Sequence, residues 1–152
     1  MTIDEITDYI EGLGGVLTLA PQRGDGTPEI SWGDLFFYYA PSGDVPKAQP
    51  FATIVTKDYP DDRGSRLERP NTFRVNVAAD AAEFEQLADL SAADPSIADV
   101  VIAHPVYGSL NWVAVVNPGS HTAAILRSLL RASHRRARDR VERRARVGGT
   151  EA

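Results

Sequence analysis

Apolar residues recur at helical spacing from the first residues onward. Ile3, Ile6, Ile10 and Leu13 share one helical face, Thr2 and Glu5 have the spacing of a capping box, and Gly14-Gly15 supplies a stop. This pattern predicts a helix over 3–13. GVLTLAP then reads as a short strand, and the turn-rich QRGDGTPE separates it from EISWGDLFFYYAP, an aromatic-dense second strand. Alternation puts Ile30 and Trp32 on one face of that strand. Gly33 interrupts the pattern, as at a bulge or a close backbone approach. After the loop SGDVPKAQP, FATIVTK is a compact third strand, and the polar run 58–71 reads as a long surface loop.

FRVNVAA alternates as a fourth strand, with Phe73, Val75 and Val77 on one side and Arg74 and Asn76 on the other. Asp80 is placed to cap a helix running to about Leu90, where Phe84 and Leu87 have helical spacing. Residues 91–103 fit both a helical turn and the entry to a strand. NWVAVVN is the fifth clear strand, closed by Pro118. A long helix follows Gly119 to about Arg144, with Leu126, Leu130, Ala137 and Val141 in one stripe, His134 at its edge and Ser133 beside it. The hairpin-like spacing of the first half favours an antiparallel sheet covered by helices. The expectation is one α+β domain over 1–146, followed by a disordered tail over 147–152.

Composition narrows the chemistry. With 152 residues and 43% hydrophobic content, the chain suits one ordinary core. It has no cysteine, which excludes disulfides, thiolate zinc sites and cysteine nucleophiles. Its three histidines, His104, His121 and His134, lack metal-ligand spacing, so no metal is expected. GDGTPE lacks the Lys-Ser/Thr pair of a phosphate loop, and there is no G-x-S-x-G elbow; no cofactor is expected either. The N-terminus is acidic and no apolar run reaches membrane-spanning length, so a cytoplasmic location without a membrane partner is the expectation. Charge is unevenly spread. From Arg127 to Arg146 nine arginines against Asp139 and Glu142 give +7, which leaves −12 on the rest for a total of −5.

Four blocks, PEISWGDLFFYY, PFATIVTKDYP, RPNTFRVNV and HPVYGSLNWVAVVNP, together resemble an uncharacterised family of bacterial domains without assigned function. The C-terminal part is more distantly similar to the MmcQ/YjbR-like proteins, through the strand opened by Trp112 and a following helix with a serine near its middle, here Ser133. The resemblance implies a YjbR/CyaY-like α+β fold, with a curved antiparallel sheet of about five strands, an N-terminal helix, a short middle helix and a long C-terminal one. Some MmcQ/YjbR-like proteins are labelled DNA-binding. Neither family brings catalytic residues to carry over.

Three constellations stand out. His104, held before Pro105 and near Tyr107, is the one candidate general base, with Asp34 or His134 as its orienting partner; the competing reading is a turn at the head of a core strand. Trp32, Asp34, Phe36 and Tyr38 suggest an aromatic-lined cleft with one carboxylate, against the alternative that the rings are core. Lys57, Asp58, Arg69, Arg74 and Asn76 suit an anion site or, by preference, surface ion pairs. The basic arm suits a phosphate backbone or an acidic protein, although the acidic body repels nucleic acid and the arm lacks aromatics. The favoured reading is a non-catalytic domain that binds a small aromatic or polar metabolite in a cleft of Trp32, Asp34, His104, Tyr107, Trp112 and His134. Its oligomeric state, monomer or dimer, is left open.

Overall fold

The structure, a computed structural model, describes residues 1–87 and 94–150. The N-terminal helix α1 spans Ile3–Glu11, with the Thr2 hydroxyl accepting from the Glu5 N–H. It ends slightly earlier than its apolar spacing suggests, because Leu13 already lies in a turn closed onto Ile10. Strands β1 (Val16–Leu19), β2 (Leu35–Tyr39), β3 (Ala52–Val55) and β4 (Arg74–Ala78) follow, then the short helix α2 (Ala81–Gln86). Asp80 and Glu83 form a full capping box on α2; the expected stretch to Leu90 runs out of the described residues after Leu87. Strands β5 (Val101–Ala103) and β6 (Trp112–Val116) lead into α3 (Ala123–Thr150), which continues past its expected end near Arg144.

Six strands, rather than about five, form one antiparallel sheet in the order β1-β2-β3-β4-β6-β5. The extra strand is VIA, from the ambiguous 91–103 segment. Only pairing with Ala114 and its neighbours on β6 makes so short a run a strand. The second strand is shorter than its sequence suggests. Glu29–Ser31 forms a 3-10 turn, and Gly33, at φ 89°, turns the corner into β2 instead of bulging within it.

Register divides the sheet into two chemically different faces. One face carries Phe37, Ala52, Ile54, Val75, Val77, Val113 and Val115, and Ile6 and Ile10 of α1 and Leu126 and Leu130 of α3 close over it as a fully buried core. Phe84 of α2 packs against the same core. Of the expected α3 stripe, Leu126, Leu130 and Ala137 are buried and Val141 is half-buried. The start of α3 is held by Asp99, whose carboxylate accepts from the N–H groups of Gly119, His121 and Thr122 and from the Thr122 hydroxyl. The opposite face carries Phe36, Thr53, Arg74, Asn76 and Trp112, and all three helices lie away from it. The segment 58–71, expected at the surface, packs here instead: Asp62, Ser65 and Leu67 are buried.

Candidate functional site

The second sheet face holds a cleft of about 510 Å³. Phe36 and Tyr38 of β2, Thr53 and Val55 of β3, and Arg74 and Asn76 of β4 form its floor; Tyr59, Asp61 and Asp62 on one side and His104, Val106, Tyr107, Leu110 and Trp112 on the other form its walls. This placement follows from period-two alternation. In FRVNVAA the positions between the core valines must point away from the helices, so Arg74 and Asn76 meet the cleft by register.

Arg74 is the largest fully buried side chain, 2% exposed. Its Nε donates to Asn76 Oδ1 (2.8 Å), its Nη1 to Asp62 Oδ1 and Ser65 Oγ (3.0 Å each), and its Nη2 to Asp62 Oδ2 (2.5 Å). Asn76 in turn donates to Thr53 Oγ1 (2.9 Å). This bidentate pairing compensates a charge that would otherwise be costly to bury. Burial works against the charged form of Asp62, but the hydrogen bonds and charge of Arg74 outweigh it and hold the carboxyl below its usual range. The expected surface ion pairs are therefore absent at Arg74. Arg69 donates to the carbonyls of Ser65, Arg66 and Ser96, a brace for the loop rather than an anion site.

His104 follows β5 and is 6% exposed. Pro105 has no N–H, so the chain turns with the next two amides free, and both Val106 N–H and Tyr107 N–H donate to His104 Nδ1 at 3.0 Å. The His104 carbonyl accepts from Gly108, and Asn111, at φ 68°, ends the turn and delivers Trp112 onto β6. The His104 ring lies 4.9 Å from that of Tyr107 and 6.4 Å from that of Trp112. Burial, then the Arg74 charge, pushes its pKa down to about 4, against weaker opposing pulls from Asp62 and Asp61; the imidazole is neutral at pH 7. Tyr107 and Leu110 stand at the mouth, 51% and 66% exposed.

The cleft brings together three of the sequence-derived site residues, His104, Tyr107 and Trp112, and leaves three outside. Asp34 is wholly buried and accepts from the Thr56 N–H and hydroxyl, Lys57 Nζ and the Tyr59 hydroxyl. It ties the β2 and β3 ends to the 58–71 loop. Burial, then the bond to Asp34 and its charge, raises the Tyr59 phenol well above its ordinary value. Trp32 closes the loop before β2, its indole N–H shared between Thr27 O and Oγ1 at 3.2 Å, with Arg23 over the ring. His134 belongs to the helical side: its Nε2 lies 2.7 Å from Gly14 O, and its ring meets Tyr39 and Phe51 edge-on. Neither orienting partner proposed for His104 reaches it.

The sequence reading missed Asp62, Ser65, Tyr59, Gln49 and Leu110. Arg74 had a usable signal, a charge alternating with core valines in a strand. Asp62 had none, because a loop has no periodicity to place it. Among the described residues no group of three or more His, Asp or Glu side chains is close enough to hold a metal ion, and no helix is long and apolar enough to cross a membrane. The basic arm lies on α3, and none of its arginines lines the cleft.

A family model described as a family of unknown function, DUF6194, matches residues 1–146, and the chain belongs to that family. No curated protein and no solved structure matches it.

Proposed function

We propose that this DUF6194 member is a small-molecule-binding protein whose ligand sits in the cleft on the helix-free sheet face. One observation carries the reading: a cavity of about 510 Å³ joins aromatic side chains to a few buried, hydrogen-bonded polar groups, the composition of a ligand pocket. Phe36, Tyr38, Tyr107 and Trp112 supply apolar area. Arg74, Asn76 and His104 supply a few fixed polar groups whose positions the hydrogen bonds to Asp62, Ser65, Thr53 and the 106–107 backbone hold. Exposed Tyr107 and Leu110 at the mouth leave apolar surface that a ligand would cover.

General-base catalysis by His104 has little support in this geometry. Two backbone amides occupy Nδ1, and a neutral ring that accepts there carries its proton on Nε2, which leaves no lone pair to take another. The chain has two tryptophans, and only Trp112 lines the cleft. In a Trp32→Phe protein, emission therefore reports the cleft alone. A screen of planar aromatic metabolites should shift that emission and raise the melting temperature. A broad panel that changes neither signal refutes the proposal.

A further inference from the structure

The polar floor contains one mismatch that specifies a ligand group. Arg74 has five N–H donors. Four end on Asn76, Ser65 and the two oxygens of Asp62. The fifth, on Nη2, faces His104 Nε2 at 3.3 Å. That contact is a hydrogen bond only if Nε2 is bare, and a neutral imidazole with bare Nε2 carries its proton on Nδ1. Nδ1, however, receives two backbone N–H groups at 3.0 Å, and a proton there would oppose both. One donor–donor contact at 3.3 Å costs less than two at 3.0 Å, so the Nε2–H tautomer prevails. Nε2–H and the fifth Arg74 hydrogen then oppose one another across 3.3 Å. Among the described residues neither has an acceptor.

Resting on the small-molecule reading of the cleft, we infer that its ligand is a neutral planar compound with a carbonyl-type oxygen, which accepts from His104 Nε2–H and Arg74 Nη2–H together. Two donors that meet without an acceptor define the position of one oxygen atom. The charge around them selects against an ionised oxygen: the cleft's charged side chains are Arg74 alone against Asp61 and Asp62, and Asp62 already matches the guanidinium bidentately. A carboxylate or phosphate would thus meet a net negative site. An ammonium group would bring more donors to a place that already has two. A neutral amide or lactam carbonyl brings a strong acceptor without net charge, and its planarity suits the rings of Phe36, Tyr38, Tyr107 and Trp112.

The test has two arms. Long-range proton–nitrogen correlation spectra of the ¹⁵N-labelled chain near pH 7, with His104 assigned by loss of its signals in His104→Asn, report the tautomer without any ligand. The expected pattern is a protonated Nε2 and a bare Nδ1; a protonated Nδ1 overturns the inference at its root. The second arm titrates the Trp32→Phe protein with benzamide, benzoate and benzylamine, which differ in the acceptor and its charge but share the ring. Benzamide should bind at least tenfold more tightly than the other two and move the His104 Nε2 signal. Equal or tighter binding of benzoate or benzylamine keeps the cleft as a small-molecule site and overturns the neutral-acceptor inference. Failure of all three to change either signal counts against the small-molecule reading itself, and the inference falls with it.

Discussion

Acidification should destabilise this protein through His104 well before most carboxylates titrate. In the folded chain the ring is held neutral, with its pKa lowered from 6.5 to about 4 by burial and then by Arg74. A depressed histidine pKa means that the unfolded chain binds the proton first. The neutral ring's contribution is therefore fully present above the unfolded pKa of 6.5 and is lost as pH falls toward 4. Between about pH 7.5 and pH 5 the linkage amounts to about 2 kcal/mol. His104→Asn isolates it: the asparagine carbonyl can still accept from the 106 and 107 amides, but it does not titrate. Urea unfolding of both proteins at the two pH values should show the wild type losing about 2 kcal/mol more than the variant. Groups common to both cancel in that difference, and the lowered carboxylates of Asp62 and Asp99 act at lower pH. Equal losses in the two proteins would refute the reasoning, because they would place His104 in contact with water rather than against the guanidinium.

Other substitutions probe the same framework by urea unfolding. Asp62→Ala leaves Arg74 buried without its counter-charge and should cost about 3 kcal/mol or more, while the double change Arg74→Met with Asp62→Leu should recover much of that. Asp34→Ala strips acceptors from Thr56, Lys57 and Tyr59 and should cost about 3 kcal/mol, yet leave benzamide affinity within a few-fold of wild type if its role is purely architectural. Ser133→Ala removes one buried bond to the Phe51 carbonyl and should cost about 1 kcal/mol. Gly33→Ala forces a side chain into the left-handed corner before β2 and should cost about 1–2 kcal/mol.

The sequence located Arg74 on the face away from the core but misjudged its surroundings. Alternation with Val75 and Val77 states only which way a side chain points, and a charge pointing away from one core is ordinarily solvated. It is buried because residues 58–71 fold back over it and supply Asp62 and Ser65. Asp34 shows the opposite error. A carboxylate beside an aromatic strand looked like a ligand group, yet its acceptor capacity is used entirely within the fold. Membership of a family of unknown function adds the extent of the domain model and leaves these assignments to the chemistry.

Periodicity, caps and turn residues were enough for α1, for the antiparallel strands of the first half and for the long C-terminal helix, because each rests on interactions a few residues apart. They also gave the inward and outward sides of β4. Pairing decided what local pattern left open. Val101–Ala103 becomes a strand only on β6, and His134 and His104 lie on opposite sides of the sheet although both look like candidates along the chain. The cleft is likewise a tertiary property. Its two defining donors, 30 residues apart, face one another only because β4, β6 and β5 lie side by side, whereas the proton placement on His104 is set locally by the 106 and 107 amides.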